Sequence, residues 1–303
     1  MKISSKYIKE KALEIGFSAC GIAKADFLKE EHEHLINWLN EKKQGTISYL
    51  EKNTEQKTDP RKILPEVKSV IGVIANYYPE EKQNPDSFYK ITKYAFPRDY
   101  HVVLKEKISK LIDEIKIIEP DALFQFFVDS NHLLEKTWAI ECGLGWRGKN
   151  SLLVNKNFGS FVLIGIILTS IELETDVKQK DFCGTCTKCI DTCPVTAIEK
   201  PFELSASKCI ANFTIEQRKD ASTKNTFGWI YGCDICQDVC PWNKNIPFAQ
   251  LNEFKPNPEL LKMTKSDWEN LNEENFNFLF NDSAIKRIGF EKIKRNIKGN
   301  SSK

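Results

Sequence analysis

Up to about residue 175, apolar positions along the chain switch repeatedly between the period of a helix and that of a strand. From Lys6 to Ile15, the residues Tyr7, Ile8, Ala12, Leu13 and Ile15 recur at helical spacing, and Gly16 follows as a stop. Val67 to Tyr77 (VKSVIGVIANY) is rich in β-branched residues and predicts a buried strand. Tyr100 to Ile117 places Val103, Leu104, Ile108, Leu111, Ile112 and Ile115 along one face of an amphipathic helix. Ala122 to Val128 (ALFQFFV) predicts a second strand, Leu133 to Cys142 a helix closed by Gly143, and Ser160 to Leu168 a third strand. Strands alternating with helices predict an α/β (α+β) domain over residues 1–176.

The texture changes near Thr175. Residues 177–248 are Cys-rich and turn-rich and predict a second, smaller domain. Residues 249–303 open on a polar stretch and end in a basic helical tail containing Lys286, Arg287, Lys292, Lys294, Arg295 and Lys298. Across all 303 residues, 44 Lys and Arg balance 42 Asp and Glu, and the net charge of +2 excludes a uniformly basic nucleic-acid binder while leaving room for a local basic patch. The opening MKISSKYIKE lacks the apolar core of a secretion signal. The longest apolar run, Phe161 to Leu168, is interrupted by Gly165 and falls far short of the roughly 20 residues of a membrane span. A soluble cytoplasmic protein is expected, acting as a monomer away from membranes. Ten cysteines without a secretion signal point to metal rather than disulfides.

Cys183, Cys186, Cys189 and Cys193 follow the spacing C-x2-C-x2-C-x3-C, with Pro194 next. This is the bacterial ferredoxin run, whose fourth cysteine ligates the other cluster. Cys233, Cys236 and Cys240 form a second group before Pro241, and Cys209 stands between the two. Eight thiolates are what two Cys₄ 4Fe–4S clusters require. We assign Cys183, Cys186, Cys189 and Cys240 to the first, and Cys193, Cys209, Cys233 and Cys236 to the second. A C-x2-C pair also suits structural zinc, but the full run with its proline is far more specific. Cys20 and Cys142, beside glycines in the first domain, read as buried free thiols. Two clusters in series carry single electrons, so another group must perform the substrate chemistry. The first domain has neither a G-x-G-x-x-G nor a P-loop, and its spacing alone identifies no cofactor.

The segment Val128 to Val154 (VDSNHLLEKTWAIECGLGWRGKNSLLV), joined to FCGTCTKCIDTCPVTAI and YGCDICQDVCPWN, resembles the epoxyqueuosine reductases. KTDPRKILP (Lys57 to Pro65) and KYAFPRDYH (Lys93 to His101) match further stretches of that family in the same order. The resemblance implies an N-terminal domain similar to the cobalamin domains of reductive dehalogenases and B12-processing proteins, with a ferredoxin-like domain behind it. It implies two 4Fe–4S clusters and cobalamin as cofactors, and a substrate epoxide in a tRNA anticodon loop. It implies Asp129 as proton donor, a role that would call for a raised pKa. A helix N-cap is the plainer alternative for an Asp-Ser-Asn run. It places GLGWRGKN (Gly143 to Asn150) in the cobalamin pocket, with Lys57, Thr92, Asp129, Lys149 and Asn150 as contacts. Two departures from the family pattern stand out: Pro97 where glycine is common, and Asn212 within CIANFTIEQR (Cys209 to Arg218) where an aromatic residue is frequent. No helical-repeat extension follows, which leaves Lys286, Arg287, Lys294 and Arg295 as candidate phosphate contacts. A lone histidine such as His101 reads as a hydrogen-bonder rather than a cobalt ligand.

The expected reaction takes electrons from an external low-potential donor through both clusters to cobalamin. Reduction of the epoxide then leaves queuosine, with the target base splayed from a single-stranded loop. Two other readings are compatible with the cysteines alone: a cobalamin-dependent reductase of a small molecule, similar to reductive dehalogenases, and an electron carrier without a substrate.

Overall fold

The computed structural model describes residues 3–130, 132–217 and 225–301. Arg218 and the last two residues of the expected tail lie outside them. Helix α1 (Ser5–Ile15) begins where the Ser4 side chain accepts the Tyr7 N–H, and ends at Gly16 in the left-handed region, φ +106°. Strand β1 (Ala19–Lys24), helix α2 (Lys29–Asn40), strand β2 (Ser69–Asn76), helix α3 (Tyr100–Ile118) and strand β3 (Phe124–Phe127) follow. Helix α4 (Glu135–Glu141) and strand β4 (Val162–Thr169) complete the sheet domain.

The sheet order is β1-β2-β4-β3 and every ladder in it is antiparallel. β2 and β3 both run against β4, so they are parallel to each other with β4 between them. The β2-α3-β3 crossover is therefore a βαβ unit split by a later strand. The alternation read as α/β resolves into an α+β sheet: the elements form where periodicity placed them, but no two neighbouring strands of this sheet are parallel.

β2 is buried along its whole length. Ile71, Val73 and Ala75 pack with Ile8 and Ala12 of α1 and with Val103, Leu104, Ile108 and Leu111 of α3. Val70 and Ile74 pack with Trp138, Ala139 and Cys142 on the α4 side. Burial on both faces is why the strand reads as an uninterrupted apolar run. Close seating of α4 depends on Gly21, where an added Cβ would lie 2.0 Å from the Cys142 carbonyl oxygen. Cys142 is buried with its thiol 3.4 Å from the Val70 carbonyl, and Cys20 is half-buried. Burial pushes both thiols up, Cys20 to about 12. They are unbonded interior thiols, as the sequence suggested.

A third apolar cluster joins Tyr89, Ile91 and Phe96 to Ile230 and Tyr231 and to the C-terminal Leu260, Trp268, Phe280, Ile285, Ile293 and Ile297. Trp229–Tyr231 also pairs in parallel with Lys90–Ile91. The Cys-rich segment and the C-terminal segment, ending in helix Phe290–Ser301, are thus packed onto the same stretch of the first domain.

Candidate active site and cysteine tetrads

Asp129 follows β3 with φ +47°, a left-handed conformation that aspartate tolerates better than most residues. Its carboxylate accepts a hydrogen bond from the Tyr100 hydroxyl, and His101 Nε2 lies 3.3 Å from Oδ2. His101 is fixed from its other side by Asp99 Oδ1, 2.7 Å from Nδ1. Asp99 is in turn the N-cap of α3, accepting the His101 N–H. One turn of one helix therefore aims both partners at Asp129. Backbone N–H groups of Asp129 and Ser130 donate to the Glu135 carboxylate, each at 2.7 Å.

These contacts set the charges. Burial raises the Asp129 pKa, but hydrogen bonds from His101 and Tyr100 outweigh it and hold the carboxyl below its ordinary value. Burial lowers the His101 pKa, and Asp129 and Asp99 overcome it, leaving the imidazole raised. The raised pKa expected of Asp129 is not found: the proton of the pair rests on His101. Burial pushes Glu135 up to about 7 despite its two N–H donors.

Asp129 is walled by protein on most sides, yet its side chain is 65% exposed, because it opens into a cavity of about 610 Å³. That volume is typical of a ligand site. Thr92, Asn150 and Lys136 line the same cavity, as do Cys193, Cys209, Cys233 and Cys236. Lys136 forms no ion pair among the described residues. Burial lowers its pKa, and Asp129, Cys209 and Cys236 are the negative or ionisable groups that counter this.

The eight ferredoxin-type cysteines gather in two groups. Cys189 is pushed up to about 11, first by burial and then by the Cys240, Cys183 and Cys186 thiols beside it. Burial pushes Cys233 to about 12, with Cys209 and Cys193 adding to it and the Ile235 N–H opposing. Cys236 is raised by burial and then by Cys233 and Cys209. Backbone N–H groups of Ala211 and Asn212 donate to Cys209, those of Trp242 and Asn243 to Cys240, and that of Ala197 to Cys193 at 3.3 Å. Four thiols ringed by N–H donors are a fitting donor set for an anionic iron–sulfur cube.

Residues 182–243 match the 4Fe-4S double cluster binding domain, and residues 57–130 match the family described as Epoxyqueuosine reductase QueG, DUF1730. An "Epoxyqueuosine reductase" of Leadbetterella byssophila is 44% identical over 300 residues, covering 98% of each chain. The chain belongs to the epoxyqueuosine reductase family. Its relative from Cellulophaga algicola is 43% identical over 296 residues, covering 97% of this chain and 96% of that one. Among solved structures, an epoxyqueuosine reductase crystallised with an epoxyqueuosine-modified tRNA-Tyr stem loop superposes with TM-score 0.89 at 28% identity, over 97% of this chain and 80% of that one. A Bacillus subtilis epoxyqueuosine reductase with its catalytic loop swung out of the active site superposes with TM-score 0.86, also at 28% identity over the same shares of the two chains.

Two of the expected cofactor contacts lie away from the cavity lining. Lys57 is buried, and its carbonyl accepts the Leu134 N–H at 3.1 Å and Trp138 Nε1 at 3.4 Å, so it fastens the segment leading into α4. Lys149 donates its amine to the carbonyls of Gly184 and Cys186. Thr92 lines the cavity with its hydroxyl donated to the buried Asp234. In the tail, Lys286 donates to Asn281 Oδ1, Arg287 lies 3.7 Å from Asp99, and Lys294 and Arg295 donate to the carbonyls of Leu271 and Gln217. Sequence reasoning missed Tyr100, Glu135 and Lys136 and gave His101 no role at the site. Tyr100 and His101 stand in KYAFPRDYH, and Glu135 and Lys136 in the Val128 to Val154 stretch, so the signal that could have found them is their place in matching segments.

Proposed function

We propose that this protein reduces the epoxide of epoxyqueuosine in a tRNA anticodon loop to the alkene of queuosine. The observation that carries this reading is the single cavity onto which Asp129 and the tetrad Cys193, Cys209, Cys233 and Cys236 both open. The reaction consumes two electrons and two protons, and the oxygen leaves as water. Cys183, Cys186, Cys189 and Cys240 would hold one 4Fe–4S cluster and the tetrad at the cavity wall the other, and the pair would supply single-electron transfer from an external low-potential donor. Cobalamin, when bound in the cavity, supplies a low-valent cobalt centre for the reductive opening.

The mostly apolar walls of the cavity suit a corrin ring. Thr92 and Asn150 are the polar side chains offered to it, while Lys57 and Lys149 support the lining from behind. One of the two protons passes from His101, where Asp99 and Asp129 hold it, through Asp129 to the departing oxygen, and solvent supplies the other. Glu135 keeps the Asp129 loop in place by accepting the backbone N–H groups of Asp129 and Ser130. The catalytic loop that swings out of the active site in the Bacillus subtilis relative supports giving the Asp129 loop this part.

A tRNA stem loop bound to a relative supports tRNA as the partner, with the exposed Lys286 and Arg287 offered to its phosphates, while Lys294 and Arg295 are taken up by the Leu271 and Gln217 carbonyls. A tRNA substrate argues for the cytoplasm. One chain carries every group named, as a monomeric enzyme requires. We divide it into a catalytic part (1–176), a two-cluster part (177–248) and a C-terminal helical part (249–303).

The test is conversion. Reconstituted anaerobically with iron, sulfide, cobalamin and a strong reductant, the protein should turn an epoxyqueuosine stem loop into queuosine, read by nucleoside mass spectrometry. Asp129→Asn should lose about 10² to 10⁴ of the rate. No conversion by fully loaded wild-type protein would overturn the reading.

A further inference from the structure

Lys149 stands on GLGWRGKN, where the sequence put it at the cofactor, but its side chain goes elsewhere. It is only 9% exposed, and its amine reaches the Gly184 carbonyl at 2.6 Å and the Cys186 carbonyl at 2.9 Å. Its own N–H donates to the Cys183 sulfur, and its own carbonyl accepts the Phe202 N–H at 3.0 Å. Lys149 thus grips the Cys183–Cys189 ligand loop from two of its polar groups, the amine and the backbone N–H. The adjacent Asn150 turns to the other tetrad, with its amide donating to Cys236.

In a trans peptide the C=O and N–H point in opposite directions. Pulling the Gly184 and Cys186 carbonyls toward the ammonium turns the N–H groups of Thr185 and Thr187 away from it. The buried cation and two aligned peptide dipoles then act together on whatever charge the loop encloses. The opposing carboxylate, Asp181, is on the surface, where water screens it; it accepts the Cys183 N–H at 2.7 Å. Asp191 is likewise exposed and accepts the Thr187 hydroxyl. Reduction by the external donor adds one electron, hence one negative charge, to a cluster in this loop. Hydrogen bonds, net charge and exposure are what set such potentials.

We propose that Lys149 is the positioning residue that sets the reduction potential of the electron-entry cluster on Cys183, Cys186, Cys189 and Cys240. This rests on the two-cluster reading above. It makes the lysine an element of electron entry rather than of corrin binding.

The experiment is an anaerobic redox titration of the full-length protein followed by electron paramagnetic resonance, after iron has been quantified. Lys149→Gln keeps N–H donors for the two carbonyls and removes the charge, so the loop should still assemble. At a fixed donor potential the ratio of reduced to oxidised for one cluster should fall about tenfold, a shift of about 59 mV for a one-electron couple. The second cluster should keep its potential, and Lys149→Arg should restore the first. An unchanged potential in Lys149→Gln, or an equal shift of both clusters, would overturn the proposal. Wild-type protein holding only one cluster would instead refute the two-cluster reading, before any variant is compared.

Discussion

The Glu135 carboxylate accepts the Asp129 N–H at 2.7 Å, so the residue we propose as proton donor is held by a second carboxylate six positions later. The grip extends to Ser130, whose N–H reaches the other Glu135 oxygen at the same distance. Glutamine has one accepting oxygen and a donating amide in place of the second. Glu135→Gln should therefore release the loop and cost about a hundredfold in kcat, with iron content unchanged. Single-turnover kinetics on an epoxyqueuosine stem loop would measure it; an unaltered rate would remove Glu135 from the account.

Glu135 also gives a signed pH dependence. Burial raises its pKa from 4.5 to about 7. Its protonated form therefore favours the fold: this contribution is complete below 4.5 and is lost as pH rises through 7. At about 1.4 kcal/mol per unit, the loss is at most about 3 kcal/mol. Relative to Glu135→Gln, wild-type protein should lose melting temperature between about pH 5 and pH 8. Loop closure needs the ionised form, so activity should rise over the same interval.

His101 predicts the alkaline side. Its pKa is raised by Asp129 and Asp99 against burial, so its stabilising charge is present at acid pH and lost as pH passes the raised value. Turnover should fall there as the proton reservoir empties. His101→Gln should abolish that limb of the pH–rate profile and let the Asp129 pKa rise.

The tail separates into two kinds of basic residue. Arg287 is 55% exposed and Lys286 is also at the surface. Replacing either with alanine should weaken stem-loop binding and reduce the slope of log K against log salt by about 0.7 to 0.9, without lowering the melting temperature. Lys294 and Arg295 tie the last helix to the Leu271 and Gln217 carbonyls, so Lys294→Ala and Arg295→Ala should lower it.

These contacts mark what the sequence could carry. α3 and β2 were readable because burial imposes its own period, and the tetrads because ligand spacing is local. β1, ACGIAK, was not: its small residues answer to the Cys142 carbonyl, more than a hundred positions later. A test is Gly21→Ala, which should cost about 1–3 kcal/mol through overpacking, read by denaturant unfolding. The Tyr100–Asp129 and His101–Asp129 contacts depend on how α3 crosses to β3 around an inserted β4, and no spacing rule reports that. Lys149 and Asn150 are adjacent in sequence, yet one serves the entry loop and the other the cavity wall.

Metal analysis of anaerobically purified protein tests the relay on which all of this depends. Two filled tetrads predict about eight irons and eight labile sulfides per chain. About four irons or fewer, or zinc in their place, would contradict the account, because the cavity around Asp129 would then have no supply of electrons.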